Sequence, residues 1–170
     1  GEKSVIEEIE AENIEGFVVR LSNAFGIPTY NDVDCWMLLI NDLCKQAVIS
    51  KKLILHGDGM QVRDFVAIRD VCDVIYYLIS NDLITKKDFV VNVGSGVACT
   101  THQIATRIQK NCEILWKETY PIQLEEKNKA RDIDIFDYKT NFLDQCSYKM
   151  KNSFDEELKE LLLYCKSNFS

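Results

Sequence analysis

No stretch of this chain is basic, and that absence narrows its partners first. Lysine and arginine number 20 against 27 aspartates and glutamates, for a formal net charge of −7. A nucleic-acid surface needs clustered cations to displace counterions, so no nucleic-acid partner is expected. No apolar run is long enough to span a bilayer, so no membrane partner is expected and the reading is cytoplasmic. The seven cysteines form no C-x-x-C pair and no cysteine–histidine spacing typical of zinc. They read as reduced thiols in apolar surroundings, with no metal site. No internal repeat or low-complexity linker divides the 170 residues, which fit one domain or a portion of two. Gly1 opens the chain in what reads as mid-helix, so a portion of a longer protein is the expectation.

What is present alternates between helix and strand. Residues 4 to 13 place Val5, Ile6 and Ile9 at helical spacing among glutamates, with Gly16 ending the element. Phe17-Val18-Val19-Arg20-Leu21 reads as a strand covered on both faces. Trp36, Ile40, Leu43 and Ala47 mark a helix with Asp34 as its N-cap. Asp70 and Asp73 are positioned to cap a helix whose inner face is Val71, Ile75 and Leu78/Ile79. Phe89-Val90-Val91-Asn92-Val93 is a second buried strand, followed by a helix opened by Thr100 or Thr101. Asp132-Ile133-Asp134-Ile135-Phe136 is the one clear alternation between 117 and 152. Ser153 and Glu156 form a capping box for a last helix that buries Phe154, Leu158, Leu161, Leu162 and Cys165. Such alternation predicts an α/β architecture.

The richest segment runs from Leu53 to Val66. Leu53-Ile54-Leu55 reads as a strand, Gly57-Asp58-Gly59 as a turn needing positive φ, and the run from Val62 as a second strand. Alternation puts Val62, Asp64 and Val66 on one face and Arg63, Phe65 and Ala67 on the other. Arg63 is thereby fixed beside an aromatic ring, and a planar fork held in place suits a phosphate or diphosphate. Taken alone, the segment equally fits an ordinary hairpin with one solvated arginine.

Three motifs together resemble a known family. Arg20-Leu21-Ser22-Asn23-Ala24-Phe25-Gly26 is similar to the R-x-x-N-x-(F/Y)-G strand and loop of the extended short-chain dehydrogenase/reductases, the NAD(P)-dependent nucleotide-sugar epimerases and dehydratases. Gly57-Asp58-Gly59, Arg63-Asp64-Phe65-Val66 and Asp70-Val71 follow that family's next segment, and Val91-Asn92-Val93-Gly94-Ser95-Gly96 its strand end. The resemblance covers residues 1 to about 115.

The resemblance implies a C-terminal part of a Rossmann-type fold plus a small mixed α/β substrate domain. Residues 1–26 would end the cofactor domain and 27–170 would bind substrate, with 70–110 packing back on the Rossmann sheet. Asn23, Arg63 and Arg131 would contact the diphosphate of a nucleotide-diphosphate sugar. Ile54, Leu55 and His56 would lie along the base, Trp36 and Met37 would start the helix covering the nucleotide, and Leu21 and Ser22 would lie near the nicotinamide of NAD or NADP. Read without the family, Asn23 also fits a loop start satisfying its own backbone, and Trp36 fits plain core. The family's chemistry uses a Tyr-x-x-x-Lys pair to move a proton and NAD(P) to take a hydride and return it. No tyrosine here has lysine four residues on, and neither Gly-x-Gly run extends to a dinucleotide fingerprint. The expectation is therefore the substrate-binding portion of a homodimeric parent, without turnover of its own. A non-catalytic nucleotide or cofactor sensor, or a protein-interaction module, remains the alternative.

Overall fold

The computed structural model describes residues 1–30, 32–81, 89–125, 138–151 and 153–170. Strands β1 (Val18–Leu21) and β2 (Asn23–Phe25) form one extended run that breaks at Ser22 and joins a different sheet on each side of the break. β1 pairs in parallel with β5 (Val90–Val93), Leu21 opposite Val93. β2 pairs in parallel with β4 (Val62–Ala67), Asn23 opposite Phe65, and β4 pairs antiparallel with β6 (Ala98–Thr100), Arg63 opposite Cys99. A third, two-stranded sheet joins β3 (Leu53–Leu55) to β7 (Ile122–Leu124) in parallel. The helices are α1 (Glu2–Glu10), α2 (Leu39–Ile49), α3 (Ile68–Ser80), α4 (Thr101–Trp116), α5 (Asn141–Gln145) and α6 (Phe154–Phe169).

Helical periodicity builds the larger core. Ile40, Leu43, Cys44 and Ala47 of α2, Ile104, Ala105, Ile108 and Cys112 of α4, and Leu158, Leu161, Leu162 and Cys165 of α6 all repeat at three- and four-residue spacing. They meet one another and Leu53, Leu55 and Phe65 in one buried cluster. Each such leucine or isoleucine contributes roughly 1.5–3 kcal/mol by leaving water. A second, smaller core joins Val91 and Val93 of β5 to Val71, Val74 and Leu78 of α3 and Leu143 of α5. β4 is the wall between them: Phe65 and Ala67 face the larger core and Val66 the smaller, as a two-residue period requires. β5 thus returns to β1, while β6 and α4 lie with the larger core.

All seven cysteines are free thiols. Burial pushes Cys112 and Cys165 up to about 12 and Cys44 well above its ordinary value, so these three stay protonated and inert. Cys72, in contrast, is exposed rather than core.

Several expectations change. Leu53–Leu55 and Val62–Ala67 do not form a hairpin; β3 pairs with β7, and β4 with β2 and β6. The first helix ends at Glu10 rather than Gly16, with Glu12 taking a positive φ of 60°. β1 is not covered on both faces: Val18 and Val19 are half-buried, Arg20 and Leu21 exposed. Asp34 is not the N-cap of α2, which starts at Leu39 after Leu38, and Trp36 lies in the turn before it. α3 starts at Ile68, ahead of Asp70, and turns Val71, Val74 and Leu78 inward while Ile75 and Ile79 are exposed. Asp70 instead accepts the Ser153 amide at 2.9 Å, and Ser153 makes no side-chain cap for α6. Thr100 does cap α4, exchanging bonds with Gln103 in a full capping box. The alternation at 132–136 lies outside the described residues.

Candidate functional site

The site begins at the break between β1 and β2. Ser22 still donates its amide to Val93 of β5 at 2.9 Å, and one residue later Asn23 is in the ladder with β4. The chain therefore changes neighbours at the carboxyl ends of two parallel strands, which is where open α/β sheets leave a crevice for ligands. The Ser22 hydroxyl is buried there without a hydrogen-bond partner among the described residues. Leu21, beside it, is 45% exposed.

Asn23 and Arg63 sit on neighbouring strands. The Asn23 amide nitrogen donates to the Asp64 carbonyl at 2.8 Å, so its side chain reaches across to β4 instead of satisfying its own backbone. Arg63 is half-buried and donates to the Gln61 side chain at 2.9 Å. No aromatic ring lies against its guanidinium among the described residues; Gln61 replaces the ring that alternation suggested. Nor does any carboxylate there pair with Arg63, although Arg20, Arg69 and Arg107 are each ion-paired. The Arg63 guanidinium is thus bonded to a neutral side chain and not neutralised by a carboxylate of the described residues.

Asp64, between them in sequence, organises the loop after β5. Its side chain is 1% exposed and accepts the Ser95 amide at 2.9 Å, the Ser95 hydroxyl at 2.7 Å and the Val97 amide at 3.1 Å. Gly94 is packed against the same carboxylate: a Cβ there would fall 2.6 Å from Asp64 Oδ1 and 2.5 Å from the Tyr138 ring. Sequence reasoning did not single out Asp64. The signal was available, since a carboxylate sharing a face with Val62 and Val66 must be buried and therefore hydrogen-bonded.

The turn between β3 and β4 takes the positive φ its glycines suggested, 117° at Gly57 and 76° at Gly59. Gly59 lies under α4, its carbonyl accepting the His102 amide at 2.9 Å. The Leu55 side chain is core, and its carbonyl accepts the Glu125 amide at 3.1 Å. The half-buried Ile54 donates its amide to Gln46 at 2.7 Å. His56 is exposed and pairs with Glu125 at 2.8 Å, which raises the imidazole above its ordinary value through that hydrogen bond. Trp36 packs against Tyr164 and Phe169, and Met37 is 89% exposed. Arg131 lies outside the described residues. A cavity of about 360 Å³ opens beyond β5, lined by Gly94, Ser95, Thr140, Leu143, Tyr148 and Lys149 among others.

At the glycine-flanked turn 94–96 the amides of Ser95 and Val97 are given to Asp64, an anion of the protein's own, and are not free for a pyrophosphate. Leu21 and Ser22 offer only an apolar surface and a spare hydroxyl, which suits the edge of a nicotinamide. Among the described residues there is no cluster of metal ligands, and no helix is long and apolar enough to cross a membrane.

Known proteins agree with this architecture. Residues 1–94 match the sequence profile of the NAD dependent epimerase/dehydratase family. A stretch of 41 residues is 44% identical to the ADP-L-glycero-D-manno-heptose-6-epimerase of Fusobacterium nucleatum, covering 24% of this chain and 11% of that protein. The fold resembles a UDP-N-acetylglucosamine 4-epimerase from Methanobrevibacter ruminantium solved with UDP-N-acetylmuramic acid, at a TM-score of 0.73 and 19% identity over 98% of this chain and 51% of that one. It also resembles the dTDP-glucose 4,6-dehydratase of Bacillus anthracis solved with NAD, at 0.70 and 22% identity over 98% and 50% of the two chains. This chain therefore spans about half the length of the solved structures it resembles. With the family profile matched over more than half of its residues, and the same Rossmann-type α/β fold throughout, the chain belongs to the NAD dependent epimerase/dehydratase family.

Proposed function

We propose that this chain is the substrate-binding portion of an NAD(P)-dependent epimerase or dehydratase acting on a nucleotide-diphosphate sugar, in a parent that works as a homodimer. One observation carries the reading: Arg63 has no carboxylate partner among the described residues, and on the next strand stands Asn23, its side chain already oriented by the Asp64 carbonyl. Arg63 lies two positions along β4 from the register partner of Asn23, about 7 Å in an extended strand. That spacing lets the two side chains grip a diphosphate together. Asn23 spends one of its two N–H donors on Asp64 and keeps the other for a phosphate oxygen. Arg63 supplies the charge-assisted bonds. Leu21 and Ser22 face the nicotinamide edge of a dinucleotide held mainly by other parts of the parent, and Ile54, Leu55 and His56 border the nucleotide base. Arg131 is a further diphosphate ligand on the family pattern alone.

Calorimetric titration with UDP-glucose, dTDP-glucose, GDP-mannose and CDP-glucose tests this. At least one binds, and Arg63→Ala weakens it by about 1.5–3 kcal/mol, the cost of a lost charge-assisted bond. Binding of none of the four, or equal binding by Arg63→Ala, overturns the reading.

A further inference from the structure

Three helices converge on a single residue that follows β2. Asn41 of α2 is fully buried, and its side-chain amide addresses both backbone groups of Gly26: its nitrogen donates to the Gly26 carbonyl at 2.9 Å, and its oxygen accepts the Gly26 amide at 3.4 Å. Its nitrogen also lies 3.3 Å from the Cys35 sulfur. Glu157 of α6 is 3% exposed; one carboxylate oxygen accepts the Ile27 amide at 3.3 Å and the other faces the Arg69 guanidinium at 3.4 Å. Ile68, the first residue of α3, closes the third side. A Cβ on Gly26 would lie 2.3 Å from the Ile68 methyl and 2.6 Å from a Glu157 oxygen, and the Gly26 φ is 156°.

Neither buried polar group serves the core. Asn41 is flanked by Ile40, Leu43 and Cys44, and an apolar residue there would escape the desolvation cost of an amide. What Asn41 does is replace a neighbouring strand. β2 leaves its ladder at Phe25, and the next residue finds in one side chain the donor and acceptor that a strand would have offered. The short strand is then fixed at both ends, by the Asn23–Asp64 bond at one and by Asn41 and Glu157 at the other.

We infer that Asn41 and Glu157 are positioning residues: by pinning the Gly26–Ile27 backbone they hold Asn23 in the register that receives the diphosphate. The inference rests on the functional reading above, and it reaches the ligand only through Asn23. Asn41→Asp keeps the shape and replaces the donor by an acceptor facing the Gly26 carbonyl. Glu157→Gln keeps an acceptor for Ile27.

The test combines two readouts on folded variants. Amide hydrogen exchange at Gly26 and Ile27 reports the pin without any ligand. Affinity for the tightest of the four nucleotide sugars above reports its consequence. Asn41→Asp and Asn41→Ala are expected to speed exchange at Gly26 and weaken binding about ten-fold, whereas Glu157→Gln stays close to the unsubstituted chain. In an Asn23→Ala background the Asn41 effect on affinity disappears, which a merely structural role would not produce. Where Asn41→Ala does not fold, Glu157→Ala, which removes the bond to Ile27, carries the same expectation. Unchanged exchange, unchanged affinity in folded Asn41→Asp, or an undiminished ten-fold loss beside Asn23→Ala each overturns the inference. If the unsubstituted chain binds none of the four sugars, the functional reading falls and the positioning role with it; binding that Asn41→Asp leaves intact overturns the positioning role alone.

Discussion

The two cores separated by β4 are enclosed to different degrees. Around the larger one, α2, α4 and α6 present fully buried stripes, and β3 alternates buried, half-buried, buried. Around the smaller one, β1 runs from half-buried Val18 and Val19 to exposed Arg20 and Leu21. α3 leaves Ile75 39%, Tyr76 74% and Ile79 77% exposed while Val71, Val74 and Leu78 are buried. The smaller core is thus bordered by a half-open strand and a helix with apolar residues exposed, whereas three helices ring the larger core and leave Met37, Val97 and Ile114 exposed around it. The diphosphate ligands proposed here lie on the seam: Asn23 one residue beyond the strand break, Arg63 on the shared wall.

This contrast can be broken or sharpened experimentally. The largest effect is expected from equal truncations in the two bodies. Leu161→Ala removes a side chain with no exposed surface and should cost ~2–5 kcal/mol, at the upper end because its three-helix surroundings cannot collapse. Leu78→Ala, 2% exposed but on the open-sided helix, should fall at the lower end of that range. Chemical denaturation of both variants checks the order, and the reverse order would mean that the smaller core is the stiffer.

Cutting the seam comes next. Asp64→Ala removes the acceptor of the half-buried Ser95 amide and one of the two acceptors of the Val97 amide, at about 1–3 kcal/mol for a buried donor left unmet, and should free the loop after β5. Faster amide exchange at Ser95 and Val97, with the pairing of β3 to β7 unchanged, would locate the loss at the seam. Arg63→Ala should leave stability nearly unchanged while weakening ligand binding, because the side chain bonds only to Gln61 among the described residues. A fall in melting temperature as large as that of Asp64→Ala would make Arg63 a structural residue.

The smallest effect concerns the rim. The folded His56 titrates above the usual imidazole value of about 6.5 because Glu125 bonds its protonated form. Its contribution is therefore complete below the unfolded value and is lost as pH rises through the folded one. Both groups are largely exposed, so solvent screening keeps the effect slight. His56→Gln should flatten a small decline in stability across that window, and denaturation curves on either side of neutrality would reveal it. A steeper decline in the variant would contradict the pairing.

Local order was legible wherever a period repeated. The stripes Ile40-Leu43-Ala47 and Leu158-Leu161-Leu162-Cys165, the two faces of β4 and the cap at Thr100 follow from spacings of a few residues. α3 was misread because apolar residues surround it, so periodicity could not choose between Val74 and Ile75 as the inner face. Asp70 was misread because its use as a cap competes with a distant amide, Ser153, that no local rule brings near.

By itself the sequence determined which residues are apolar at which period, where glycine permits a sharp turn, and which family the motifs resemble, since all three depend on chemistry within a short window. Tertiary structure alone decided that β3 pairs with residues some seventy positions away instead of with β4, and that Arg63 meets Gln61 and no carboxylate among the described residues. It also decided that Asp64 fills the loop after β5. Strand partners and charge partners are chosen by which surfaces remain open once helices have packed, and that competition involves the whole chain at once.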